Sequence, residues 1–160
     1  MEDAIRLAKI MFASKLFAAY GTPEAVLATI MAGRELGMQM MASLRAFQII
    51  DGKPRLPADL IRAIVIQSGR ATYFRVTERT ADRATFATQR GTQPPVSLSY
   101  TMAEARASGR VKEGSGYQRD PADMLVARAS SKLARLVYPD VVHGLMAIEE
   151  LDENASANDR

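Results

Sequence analysis

No cysteine occurs anywhere in the chain, and there is a single histidine, His143. The first absence removes disulfide frameworks, thiolate zinc sites and cysteine nucleophiles. The second removes multi-histidine metal centres and His-paired base networks. No apolar run approaches the roughly 18–20 residues that a membrane span needs. The amino terminus carries Glu2 and Asp3 and lacks the layout of a secretory signal. Gly33-Arg34-Glu35-Leu36-Gly37 holds two glycines, but no Gly-Lys-Ser/Thr follows, so there is no Walker loop and no sign of ATP-driven chemistry. The expectation is a reducing, cytoplasmic setting, no cofactor, no membrane and no enzyme.

What is present is one domain's worth of chain. Its 160 residues are 48% hydrophobic and 24% charged, enough to bury a core. The formal charge of +3 is unevenly placed. Residues 1–44 hold 4 bases and 4 acids. Residues 45–135 hold 16 bases and 8 acids, net +8. Residues 136–160 hold 1 base and 6 acids, net −5. A basic middle points to a polyanionic partner more than the total does. Sixteen of the 21 bases are Arg, which suits bidentate phosphate recognition; a GC-rich coding sequence would give the same bias.

The spacing of apolar residues predicts a helix over 3–20, stopped by Gly21. Thr22, Pro23 and Glu24 open a second helix that runs to about Leu36. Met38 to Leu44 is methionine-rich and reads as either a short helix or a packed loop. With Met31, these methionines suit adaptable core packing or an intersubunit contact. Phe47 to Leu56 reads as a hairpin about Asp51-Gly52, with Pro54 marking an edge strand. Pro57 opens a third helix to about Gln67, apolar almost all round and so expected to be central. Strands follow at about 72–79, 83–89 and 96–100. Thr101 to Glu104 fits a capping box. Residues 110–119 are a polar loop, and Asp120-Pro121 starts a long helix to about Val137, with Asp120 as its cap. The layout is α+β: a small antiparallel sheet, made of a hairpin plus a three-stranded set, packed with helices. Residues 1–151 form the domain and 152–160 a disordered acidic and polar tail.

Candidate contacts with a polyanion follow from this layout. Leu125, Ala129, Leu133 and Leu136 share one stripe of the long helix. Arg128, Lys132 and Arg135 share the next, where unliganded cations would repel each other. A solvated charged face gives the same pattern. On the first long strand, Phe74 and Val76 mark a buried face, while Tyr73, Arg75, Thr77 and Arg79 mark the other, with Arg83 across the turn. An aromatic on a basic sheet face suits single-stranded nucleic acid, and an ordinary exposed face would look similar. Tyr117, beside Arg119, could stack on a base or pin its loop to the core. Lys53, Arg55 and Lys112 complete the basic set. Asp140 and His143 invite a catalytic reading, but no nucleophile pattern accompanies them. Glu149, Glu150, Asp152 and Glu153 lie in one run, whereas metal-dependent nucleases need carboxylates from several elements.

Two blocks carry a resemblance to a known family. They are IMAGRELGMQMMASLRAFQIIDGKPRLPADLIRAIVIQSG at 30–69 and GYQRDPADMLVARASSKLARLVYPDVVHGL at 116–145. Separated and in order, they resemble the RecT family (RecT/Red beta superfamily) of phage single-strand annealing proteins, over most of residues 5–151. The resemblance implies ATP-independent binding of single-stranded DNA and annealing to duplex in phage-type homologous recombination, by a homo-oligomeric ring or filament. It also implies a 5′–3′ exonuclease and a host single-strand binding protein as partners. Arg128 and Arg135 fall where the family's last core helix carries basic DNA-contacting residues, and Tyr117 where the family usually has Trp. Ala122, followed by Asp123, stands where a basic residue is common after the Pro, so that contact is either missing or supplied by Arg119. Met40 stands in place of a Pro, and the family's C-terminal partner-binding region has no counterpart here. The rival readings are a small metal-dependent nuclease and a structural oligomer whose basic surface binds acidic protein.

Overall fold

In a computed structural model of the chain, residues 2–50, 53–145 and 147–149 are described. They divide into two compact units, Met1–Arg55 and Leu56–Arg160. The Asp51-Gly52 turn and the 152–160 tail lie outside the described residues.

The first unit contains α1 (Glu2–Ala13), a 3-10 turn at Ala18–Tyr20, α2 (Pro23–Glu35), α3 (Met40–Ala46), and the pair β1 (Gln48–Ile50) and β2 (Lys53–Arg55). The helix expected over 3–20 breaks after Ala13. The Ser14 hydroxyl donates to the Met11 carbonyl at 2.6 Å, and Lys15 takes a left-handed φ of 64°. The broken end folds back, so that Phe17 joins Ala8, Val26 and Leu44 in the core of this unit. Thr22 caps α2 by accepting from the Ala25 amide at 3.1 Å. The methionine-rich segment becomes α3. Met31, Met38 and Met40 do not form a closed core. They line a cleft of about 400 Å³ with Leu7 and Ile30. The close approach of α2 and α3 depends on Gly33, where a Cβ would fall 1.9 Å from Ser43 Oγ. β1 and β2 pair antiparallel, with Gln48 opposite Arg55 and Ile50 opposite Lys53.

The second unit holds α4 (Ala58–Gln67), β3 (Ala71–Arg79), β4 (Arg83–Arg90), β5 (Val96–Thr101), α5 (Met102–Ala107), α6 (Gly116–Arg119), α7 (Pro121–Val137) and α8 (Pro139–Val142). The three long strands form an antiparallel sheet in the order β3-β4-β5. The α+β class and the three-stranded set expected above are observed. The Thr101–Glu104 capping box also forms, with both reciprocal bonds present. Asp120 precedes α7 but makes no side-chain cap bond.

One face of the sheet is covered by α7, which lies along β4 and β5, while α4 packs on α7, α8 and β3. Phe74, Ala84, Phe86, Thr88 and Tyr100 are buried on this inner face. Because α7 is covered on two sides, its buried arc is wider than one apolar stripe. Leu125, Ala129 and Leu133 are joined by Ser130, Ser131 and Ala134, all small enough for close approach. Leu136, expected on the buried stripe, is 63% exposed. Burial passes instead to Ala134 and Tyr138, where the chain turns into α8.

β3 departs from simple alternation. Its register with β4 shifts twice, leaving Thr72 and Thr77 without a partner residue. Each of these threonines donates its hydroxyl to a backbone carbonyl, Thr72 to Gly91 and Thr77 to Thr85. The second bulge reverses the parity of the strand. Arg75 pairs with Ala87 on the outer face, but Arg79 pairs with Ala84 on the inner one. Val76, expected to be buried, is 45% exposed on this edge strand.

The junction of α7 and α8 is held to β4 by polar contacts. The Thr88 hydroxyl donates to the Tyr73 carbonyl at 2.7 Å, so the Tyr138 hydroxyl, 2.6 Å away, donates to Thr88. Arg90 grips Asp140 with two bonds of 2.7 and 2.8 Å, donates to the Val137 carbonyl, and lies over the Tyr138 ring. Arg70 approaches the same carboxylate at 3.5 Å. Hydrogen bonds from Arg90, with the charges of Arg90 and Arg70, hold the Asp140 carboxyl below the ordinary carboxylate range.

Three stability predictions follow from these contacts. Gly33→Ala overpacks the α2–α3 contact and should cost about 1–3 kcal/mol in chemical denaturation. Tyr138→Phe should cost about 1 kcal/mol, since Thr88 keeps its bond to Tyr73. For Asp140, a depressed folded value means stabilisation that is present above the ordinary carboxylate value and is lost as pH falls through the folded value. Asp140→Asn should therefore lower Tm at pH 7, and its deficit against the parent protein should shrink below about pH 4.

Candidate nucleic-acid interface

The basic stripe of α7 is not held out in solvent. At one end of β5, Tyr100 is buried on the inner face opposite Ala84. Three cations gather on it. The Lys132 ammonium is 4.9 Å from the ring centroid and the Arg128 guanidinium 5.9 Å. Arg110 donates to the Tyr100 hydroxyl at 3.2 Å. The ring quadrupole offsets part of the repulsion among these charges. The ring also fixes where the cations sit, which a mobile surface Lys or Arg does not do for itself.

The helix geometry explains the arrangement. Arg128, Lys132 and Arg135 lie at i, i+4 and i+7, one strip beside Leu125 and Ala129. Those residues are fully buried against the sheet, so the strip must emerge along its margin, where Tyr100 lies. All three bases are half-buried. The heads of Arg128 and Lys132 turn onto the Tyr100 ring, and the Arg128 Nε is buried there.

Arg110 and Tyr100 were not among the candidates read from the sequence. Tyr100 looks like a core residue, the third inward position of β5 after Val96 and Leu98. Arg110 lies in a polar loop. Only the pairing of β5 with β4 and the docking of α7 bring them together.

Other candidates are placed elsewhere. Arg79 is turned to the inner face and forms an ion pair with Asp123 of α7. Asp123, in the first turn of α7, thus engages one of the expected DNA contacts. Tyr117 is 3% exposed and pins α6 to α7, so it has no open face for a base. Arg55 is 6% exposed, which removes it from the accessible set. The side chain of Lys53 lies outside the described residues. Lys112 and Arg119 are exposed, on the loop and on α6. Arg75 and Arg83 are exposed on the outer face, away from α7.

The Asp140–His143 pair does not form. Asp140 is engaged by Arg90 and Arg70, and exposed His143 ends α8 with a left-handed φ of 45°. Glu149 accepts from the Ala58 amide at 3.1 Å, at the start of α4. Glu150, Asp152 and Glu153 lie outside the described residues. Among the described residues, no three His, Asp or Glu side chains converge so as to hold a metal ion. No described helix is long and apolar enough to cross a membrane.

Comparison of the chain with family models, with curated proteins and with solved structures finds no match.

Proposed function

We propose that the protein binds single-stranded DNA without sequence preference and anneals complementary strands without ATP, as an oligomeric ring or filament. The observation that carries this reading is the cationic platform of Arg110, Arg128 and Lys132 on Tyr100. The resemblance of residues 30–69 and 116–145 to the RecT family supports it independently of the geometry.

The proposed mechanism is physical. Arg128, Lys132 and Arg135 hold phosphates and leave the base edges outward, where complementarity can be tested. No covalent bond changes, so no acid–base pair is required. Binding rests on counterion release and is therefore steeply salt-dependent. An oligomer presents many such platforms in series, so a modest charge per subunit suffices. A 5′–3′ exonuclease that exposes the strand and a host single-strand binding protein are the partners this reading proposes, in the cytoplasm.

Fluorescence anisotropy with a labelled oligothymidine, alongside strand annealing without nucleotide, tests the reading. Arg128→Ala with Lys132→Ala should weaken binding. It should also reduce the slope of log K against log salt by about 1.4, at roughly 0.7 per lost single-strand phosphate contact. Undetectable binding by the parent protein at low salt, or robust Mg²⁺-dependent cutting of the strand, would overturn the function. Unchanged annealing by the folded double variant would overturn the site.

A further inference from the structure

The outer face of the β3-β4-β5 sheet carries a second aromatic–cation unit. The Arg75 guanidinium lies 5.0 Å from the centroid of the Tyr73 ring. Tyr73 is half-buried, Arg75 is exposed, and both point away from α7. The residues beside Arg75 across the sheet are Ala87 and then Ser97. Gln89 stands beside the ring and donates to the Gln93 carbonyl at 3.2 Å, so the face is a low shelf at Arg75, bounded by the aromatic and this amide. Arg83 is exposed on the same face. Glu78 also stands there, accepting from the Thr85 hydroxyl at 3.2 Å, while Ser99 lies 2.8 Å from Thr85. The face is therefore weakly basic, and its main resources are a ring, a guanidinium and hydroxyls.

This unit is remote from the Tyr100 platform. Tyr73 pairs with Gln89 of β4 and Tyr100 with Ala84. Five residues of extended chain separate these positions, about 17 Å. They also lie on opposite outer strands and on opposite faces, so no straight groove joins them. A strand held by phosphates at Tyr100 leaves the shelf vacant.

We propose that the shelf is a second binding site for single-stranded nucleic acid, which stacks an unpaired base on the Tyr73–Arg75 pair. This rests on the reading of the Tyr100 platform as the first site. The two sites differ in chemistry. The platform takes backbone through charge, whereas the shelf takes bases through stacking, which tolerates any sequence because every base has a π-face. One protomer can then hold two strands at once, the second by contacts weak enough to release it into a duplex.

The test uses two noncomplementary oligonucleotides, so that base pairing cannot recruit the second. The protein is saturated with an unlabelled strand, and a fluorescent strand bearing 5-iodouracil is added. We expect retained anisotropy, a three-component complex, and a photo-cross-link that mass spectrometry maps to Tyr73. Tyr73→Ala with Arg75→Ala should abolish second-strand capture and slow annealing at least tenfold, with first-strand affinity within twofold of the parent. Tyr73→Phe, which keeps the ring, should behave as the parent.

Binding of the first strand with no capture of the second by the parent protein overturns the shelf and leaves the platform standing. So does a cross-link that maps elsewhere. Loss of first-strand affinity in the folded Tyr73/Arg75 variant also overturns it, because the two sites would then be one. No binding of either strand by the parent at low salt overturns the platform reading instead. The cross-link needs no substitution, so a variant that fails to fold does not remove the test.

Discussion

The double burial of α7 is the constraint on which the second unit depends. A helix packed on one side needs a single apolar stripe. This one lies between a sheet and a second helix, and it meets both with alanine and serine as well as leucine. Small residues let the backbones approach, and that approach fixes the rotation of the helix. Once the rotation is set, Arg128 and Lys132 have nowhere to go but over Tyr100. The same placement brings Tyr138 to Thr88 and Asp140 to Arg90. The proposed site is thus a by-product of core packing. Its precision comes from residues that would never touch a ligand.

Much of this was legible in the chain, and the limits of legibility have physical causes. The strands expected at about 72–79, 83–89 and 96–100 rest on alternation and turn residues, both local signals, and each lies within one residue of the observed bounds. The Thr22 cap and the Thr101–Glu104 box are local too, which is why they could be read without a fold. What failed was nonlocal. Arg79 was placed with Arg75 because parity along a strand is assumed, and a bulge is specified by the partner strand. Leu136 was placed with Leu125 because periodicity cannot show where the covering sheet ends. Tyr117 could be read either way, and only the packing of α6 on α7 decides that its ring is interior.

Charge shows the same division between count and position. The net +8 of residues 45–135 suggests a uniformly basic surface. In the folded unit the positive charge is sorted into separate tasks. Arg90 and Arg70 hold Asp140, and Arg79 holds Asp123. Arg62 lies over Phe86 inside the sheet–helix layer. Arg110, Arg128 and Lys132 share one ring. Two of the basic positions read from the sequence, Arg55 and Arg79, are thereby buried or paired. The polyanion reading therefore rests on fewer cations than the tally suggests, held more firmly than a tally can express.

The bulge at Thr77 has a further consequence. Side-chain direction along β3 depends on which residues are paired, so whether Thr77 is paired or bulged decides the address of the residues after it. Were Thr77 paired in regular alternation instead of bulged, Glu78 and Arg79 would exchange faces. The outer shelf would gain a cation and lose its carboxylate, and Asp123 would lose its partner. Charge on this sheet can thus be moved from one side to the other without changing a single charged residue. Gain or loss of a bulge in an edge strand is a route by which ligand preference can shift while composition stays constant.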